Sequence, residues 1–224
     1  MTGTIVNSGA IIAGSIIGIA VGQHMPERMR TIIMNALGLS VIVIGLQMAL
    51  SGEDLIATVA CVLLGAITGE LLKIERGIEK LGESLKRRFR SRSSTFVEGF
   101  VSSSVLYVTG VLVILGPLQE GTTGDASILY IKSLLDGFAS VVLASTLGIG
   151  VLFSALPVFI IQGAVTLLAS SLLFLKEPLV LNAITSAGGV LIFGIGINLL
   201  EIKKIRIGNF IPAIIYAAAW ALMH

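Results

Sequence analysis

Apolar residues run along this chain in blocks of about twenty, separated by short polar breaks. A bilayer's hydrocarbon core, about 30 Å thick, takes about 20 helical residues to cross. Eight blocks meet that length, at roughly 4–22, 31–50, 55–72, 96–115, 127–147, 150–175, 179–200 and 207–223 by the hydropathy-window rule. The breaks are QHMPERMR (23–30), SGED (51–54), GPLQEGTTGD (116–125), KEP (176–178) and EIKKIR (201–206). One break, GIGVLFSALP (148–157), is nearly all apolar, so the turn there must be tight or buried. The pattern predicts an all-α fold: a polytopic integral membrane helix bundle of about eight transmembrane helices.

A different pattern occupies 73–92. Ile74, Ile78, Leu81, Leu85 and Phe89 recur every three or four residues, with Lys, Arg and Glu between them. This is an amphipathic helix, expected to lie along the inner leaflet beside anionic lipid. A docking site for a soluble partner is the sharper alternative.

Composition agrees with lipid as the main solvent. Hydrophobic residues make up 55% of the 224, charged residues 12%, and mean hydropathy is +1.00. Soluble domains carry about 25% charged residues. The start, MTGTIVNSGAIIAGS, has no basic n-region, so no cleaved signal peptide is expected. The loops at 23–30, 73–92 and 201–206 hold 13 of the 15 Lys and Arg residues. With eight spans these loops share one side, which the positive-inside rule makes cytoplasmic. Both termini then face out, and Glu53, Asp54, Glu120, Asp125 and Glu177 lie in the opposite loops.

Internal similarity adds a second level of organisation. EGFVSSSVLYVTG (98–110) resembles DGFASVVLASTLG (136–148): an acid, Gly and Phe open each segment, and a Gly closes it. ALGLSVIVIGLQMAL (36–50) aligns with SAGGVLIFGIGINLL (186–200), placing Gly38 on Gly189, Gly45 on Gly196 and Gln47 on Asn198. SGAIIAGSII (8–17) aligns with QGAVTLLASS (162–171). Paired spans are an odd number apart, so they cross in opposite directions. The chain is expected to form a single membrane domain of two inverted-topology four-helix halves, 1–115 (with helix 73–92) and 116–224. Inverted repeats suit alternating access around a midplane site, although duplication for stability alone would leave the same trace.

Ionisable groups at membrane depth are costly unless paired or hydrated, so each is a functional candidate. Glu98 and Asp136 open the matched acid-Gly-Phe motifs and are candidate ligands for a proton or Na⁺. Lys132 lies one turn before Asp136 and can act as its counter-ion or meet an anionic substrate. The two could instead merely neutralise each other, or 127–135 could be an interfacial or re-entrant segment. Asp125 belongs to a polar loop that could be re-entrant too. Asn7, Gln47, Gln162 and Asn198 are amides that need partners in a dry interior. Gln47 and Asn198 could satisfy one another across the repeat. Serines 102–104 are expected to bond back into their own helix. Glu70, at the end of the third span, can snorkel to water.

The remaining features exclude more than they assign. Gly14, Gly18 and Gly22, and Gly65 with Gly69, form small-residue seams for close helix packing or for a homodimer face. One cysteine, Cys61, and two distant histidines, His24 and His224, give no metal cluster, disulfide or His-based catalytic pair. No phosphate-binding loop, Ser–His–Asp set or zinc-protease motif occurs, so no enzyme activity, cofactor or metal is expected. No nucleic-acid partner is expected either; the lipid bilayer and a small solute or ion are.

The stretch GPLQEGTTGDASILYIKSLLDGFASVVLASTLGIGVLFSALPVFIIQG (116–163) resembles the signature of the bacterial membrane family known as domain of unknown function 554. FVEGFVSSSVLY (96–107) and GTIVNSGAIIAGSIIG (3–18) resemble it as well. The resemblance covers essentially the whole chain. It implies a multi-pass protein of the bacterial cytoplasmic (inner) membrane, often described only as a candidate transporter, and supplies no substrate or site residues. Taken together, the sequence predicts a secondary transporter of a small solute or ion, coupled to H⁺ or Na⁺. A passive channel is one alternative. A scaffold or sensor acting through helix 73–92 is another.

Overall fold

The computed structural model describes residues 1–52, 54–109 and 112–223. Glu53, Gly110 of the repeated motif and His224 lie outside the described residues. The described chain is all helical. Its α-helices are α1 (Thr2–Gln23), α2 (Glu27–Ala49), α3 (Leu55–Leu72), α4 (Ile74–Arg88), α5 (Phe96–Val108), α6 (Leu112–Thr123), α7 (Ser127–Leu147), α8 (Ala155–Leu167), α9 (Pro178–Leu199) and α10 (Pro212–Ala221). Short 3-10 segments, Gly148–Ser154, Ala169–Ser171, Leu173–Lys176 and Ile207–Phe210, lie in the joints that follow α7, α8 and α9. Pro178 and Pro212 stand in the first turns of α9 and α10, where a missing N–H costs nothing.

By length and composition, five helices among the described residues can cross a membrane, and six if α5 and α6, bent by 59°, form one span. The outward faces suit lipid: Ile5, Ile12 and Ile16 on α1, Leu39 and Val43 on α2, and Ile56, Leu63 and Ile67 on α3 are all exposed. A water-soluble surface does not carry apolar patches of this extent. Three of the eight expected blocks differ from single long helices. The 96–115 block is split between α5 and α6. The 150–175 block retains α-helix only over Ala155–Leu167, passing into 3-10 turns around Ser170 and Ser171. The 207–223 block is shortened, with a 3-10 start before Pro212.

Contacts gather into two units, each drawn from separated segments. The first unit comprises Met1–Met34, Glu79–Val108 and Leu112–Leu173. Here α1 and α7 pack side by side in the same direction. Gly14 meets the Gly137 carbonyl, Gly18 that of Val141 and Gly22 that of Ser145, and a Cβ at any of them would collide with that backbone. The seam expected for helix packing or a homodimer is therefore filled by the chain's own α7. Helix α5 runs antiparallel to α7, since Thr95 donates to the Leu147 carbonyl at 2.8 Å while Tyr107 pairs with Ser140 at 2.8 Å.

From Ser127 to Leu167 the chain is helical without a coil break, yet it reverses. Asn7 reaches both Asp136 and Gln162, which a straight helix would set about 39 Å apart. The reversal lies in the 3-10 segment that starts at Gly148, whose φ of 75° favours glycine. Gly150 then lies against the Phe96 carbonyl, where no side chain fits. The apolar turn expected at 148–157 is thus both tight and buried.

The second unit is built from Asn35–Ile78, Thr109 and the chain from Phe174 onward. Within it α2 and α9 run antiparallel, Gly38 against Gly196 and Gly45 against Gly189. Helix α3 pairs antiparallel with α10, Gly65 meeting Ala213 and Gly69 meeting Asn209. A small-residue core of Cys61, Ala187, Ala213 and Ala217 lets these helices close. Hydroxyl bonds tie them: Thr58 to Ser186 (3.0 Å), Ser186 to the Ala49 carbonyl (2.6 Å) and Thr68 to Tyr216 (2.9 Å).

Candidate functional site

The first unit carries a polar cluster in an otherwise apolar interior. Lys132 and Asp136 are four apart on α7, hence on one face, and Lys132 Nζ donates to Asp136 Oδ2 at 2.6 Å. Asn7 of α1 donates from Nδ2 to the same oxygen at 3.0 Å, and to Gln162 Oε1 of α8 at 3.3 Å. Asn7 and Gln162 are fully buried; Lys132 and Asp136 are 5% and 7% exposed. Asn7 of α1 therefore links the carboxylate on α7 to the amide on α8. Lys132 and Asp136 are the sixth and tenth of the 21 residues of α7, in its N-terminal half.

One turn beyond Asp136, buried Ser140 pairs with the hydroxyl of Tyr107. Several buried polar atoms of the same unit have no protein partner, among them Asn7 Oδ1, Gln162 Nε2, Glu120 Oε2 and the hydroxyls of Thr4, Ser8, Ser15 and Ser104. Each is out of solvent. A buried polar atom left unpaired costs about 1–3 kcal/mol. Native interiors hold few such groups, so several in one unit mark a place built to meet something polar.

The other candidates go elsewhere. Glu98 is exposed, at the third residue of α5. That end of α5 packs beside the C-terminus of α7, where Gly99 meets Leu147. Some 11 residues separate Asp136 from Leu147, about 17 Å of helix, so the two acids do not share a pocket. The matched motif misled here because α5 and α7 lie antiparallel, which sends equivalent positions to opposite ends.

Gln47 is exposed on α2. Asn198 is engaged locally: Nδ2 donates to the Ile205 carbonyl at 2.8 Å and Oδ1 accepts from the Ile205 N–H at 2.7 Å. It closes the 199–204 loop rather than pairing with Gln47. Asp125 is an exposed loop residue that orders the start of α7, accepting from Ser127 N–H at 2.9 Å and from the Ser127 hydroxyl at 3.1 Å. Those two bonds, with a third from Gln119, hold its carboxyl below the usual range. GPLQEGTTGD is helical through Thr123, and Glu120 within it is buried, accepting from Gly3 N–H at 2.8 Å and pairing with the Met1 amino group at 3.0 Å.

A second polar knot escaped the sequence. Glu75 of α4 is buried; its Oε2 accepts from Gly208 N–H at 2.6 Å while its own N–H donates to Asn209 Oδ1 at 2.7 Å. Asn209 Nδ2 in turn donates to Glu70 at 2.6 Å, and Arg206 pairs with Glu70 at 3.2 Å. In an amphipathic helix an acid beside arginines looks like solvated surface. The signal was its place at the first turn of α4, where N–H groups lack helical partners.

Comparison with known proteins places the whole chain. The family described as "Protein of unknown function (DUF554)" matches residues 2–222. The chain is 32% identical to the uncharacterized protein YqgA of Escherichia coli (strain K12), over 97% of each sequence. It is also 32% identical to the uncharacterized membrane protein YdfK of Bacillus subtilis (strain 168), over 96% of this chain and 93% of that one. No solved structure matches.

Proposed function

This chain belongs to the DUF554 family of bacterial multi-pass membrane proteins, and from that premise we propose that it is a secondary transporter of a small solute or ion coupled to H⁺ or Na⁺. The observation that carries the reading is the buried cluster of Lys132 and Asp136, in the N-terminal half of a candidate spanning helix, with Asn7 and Gln162. Ionisable groups at that depth are retained for ion or substrate handling far more often than for packing.

The unpaired atoms of Thr4, Asn7, Ser8, Ser104 and Gln162 support a hydrated track in the same unit. Lys132 supplies the mechanism's resting state. Its ammonium occupies Asp136 Oδ2, and a proton or Na⁺ arriving at Asp136 replaces it. The freed ammonium then meets an anionic group of the solute or turns to the track. Coupling of this kind needs only one acid, Asp136, with Lys132 as its competitor.

Packing directions support the eight-crossing form of the reading. Helices α1 and α7 are parallel. With α2 and α3 each crossing once, the chain reaches α7 in that direction only if α5 and α6 together make one further crossing. The reversal after Gly148 adds α8, and α9 and α10 follow. The contacts of Gly38 with Gly196 and of Gly45 with Gly189 are what an inverted repeat exchanging Gly38 with Gly189 and Gly45 with Gly196 requires. On this reading the basic loops are cytoplasmic and the termini lie outside.

The test is flux in proteoliposomes that enclose a pH-sensitive and a Na⁺-sensitive dye. With solute supplied, an imposed Na⁺ or pH gradient is expected to drive H⁺ or Na⁺ flux through the wild-type chain, and Asp136→Asn to abolish it. Equal traces from wild type, Asp136→Asn and empty vesicles, across a panel of candidate solutes, would refute the proposal.

A further inference from the structure

A pocket in the first unit has a chemistry different from that of the Lys132–Asp136 cluster. It has a volume of 360 Å³ and lies where the C-terminal ends of α1 and α7 meet the start of α2 and the 92–95 segment ahead of α5. Its lining includes Arg30, Arg92, Ser93, Ser94, Thr95 and Thr146, and no acidic side chain. Thr146 lies 10 residues beyond Asp136 on α7, about 15 Å of helix, so this pocket is separate from the buried carboxylate.

Two observations point to an anion. Arg30 Nε is buried without a hydrogen-bond partner; the only acid near that guanidinium among the described residues is Glu27, whose 3.6 Å contact is made by a side chain 87% exposed. Arg92 has no carboxylate partner among the described residues. Two guanidinium groups set among hydroxyls, with the exposed Glu27 on Arg30 as their one carboxylate contact among the described residues, match a tetrahedral oxyanion, which takes forked N–H donors and hydroxyl donors together. The hydroxyl framework is already ordered: Thr95 is held on the Leu147 carbonyl and pairs with Ser93 at 3.1 Å.

We propose that this pocket binds a phosphate group, with Arg30 and Arg92 as its cationic ligands and the 93–95 hydroxyls as its neutral ones. The phosphate belongs either to an anionic lipid headgroup, since the pocket lies at helix ends, or to a free phosphate. Neither the coupling role of Asp136 nor any transported substrate is assumed.

The experiment uses the full chain in nanodiscs. Orthophosphate is titrated by equilibrium dialysis in discs of phosphatidylcholine alone, and retention of phosphatidylglycerol from mixed discs is read by native mass spectrometry. The expected result is binding in at least one arm. Arg30→Gln combined with Arg92→Gln weakens it by about tenfold or more, the scale of losing charge-assisted hydrogen bonds. Arg76→Gln with Lys80→Gln, exposed on α4, leaves it unchanged. Orthophosphate binding in the lipid-neutral discs identifies a free anion; phosphatidylglycerol retention alone identifies a headgroup. Arg30→Lys with Arg92→Lys keeps the charge and loses the fork, and is expected to weaken binding several-fold, so the proposal remains testable if the glutamine pair does not fold. No binding by the wild type in either arm, or binding indifferent to both Arg pairs, overturns it. Asp136→Asn is expected to bind phosphate normally, which separates failure here from failure of the transport reading.

Discussion

Lys132 Nζ and Asp136 Oδ2 lie 2.6 Å apart, one turn apart on α7, and Asn7 of α1 shares the same carboxylate oxygen. Removing either charge leaves the other buried alone. Lys132→Met or Asp136→Leu is therefore expected to lower stability by about 3–5 kcal/mol, and the double substitution to recover most of it. Thermal unfolding in detergent measures all three. The double variant is expected to stay inactive in the flux assay although stable, which distinguishes an ion-handling pair from a packing device. A stable double variant with full flux would remove Asp136 from the mechanism.

This cluster was partly legible in the sequence. Asn7, Lys132, Asp136 and Gln162 stood out because each is polar inside an apolar block. Their convergence was not legible, since it depends on the reversal after Gly148, and a run such as GIGVLFSALP does not display its turn. Glu98 and Asp136 matched in motif, but motif identity says nothing of which end of an antiparallel neighbour each residue meets. Asn198 looked like a functional amide and closes a loop instead; a polar residue near a helix end serves the backbone there as readily as a ligand. Glu75 went unnoticed because burial by a distant loop, Ile207–Phe210, leaves no trace in local periodicity.

The glycine seam of α1 permits a sharper test of packing. Gly18 lies against the Val141 carbonyl, and a β-carbon there meets backbone, which cannot move aside as a side chain would. Gly18→Val is expected to cost about 3 kcal/mol or more. Gly9, with nothing near its Cβ direction, should accept alanine with little change. Melting temperatures of the two variants in one detergent decide it. Equal losses would mean that α1 and α7 do not touch as described.

Glu75 is the acceptor for Gly208 N–H, and its backbone is held by Asn209. Glu75→Ala leaves that N–H unpaired in a buried site, a cost of about 1–3 kcal/mol. The loss should appear as earlier proteolysis in the 201–210 region, because the knot fixes that loop to the first turn of α4. Glu79→Ala on the same helix serves as the control.

Asp125 carries a pH signature. Its hydrogen bonds with Ser127 and Gln119 favour the charged carboxylate and lower its folded pKa. A depressed carboxylate stabilises the fold at pH above its unfolded value, near 3.9. That contribution fades as pH falls through the folded value. The Tm difference between wild type and Asp125→Asn is therefore expected to be constant from about pH 8 to about pH 5 and to shrink below about pH 4. A difference that grows on acidification would contradict the assignment.

The crossing count makes the last prediction. Cys61 is the sole cysteine and is buried, so a Cys61→Ser background permits single-cysteine labelling. Ser51, Ser84, Thr123 and Lys203 are exposed on four separate connections. If α5 and α6 together cross once, an impermeant maleimide added to intact cells labels Ser51→Cys and Thr123→Cys. Ser84→Cys and Lys203→Cys then react only after permeabilisation. A re-entrant α5–α6 would put Thr123→Cys with Ser84→Cys instead. It would also reverse the direction of α7, which contradicts its parallel packing against α1 if α2 and α3 both span. Position 123 therefore tests two linked features at once, the bend between α5 and α6 and the direction of the helix that carries Asp136.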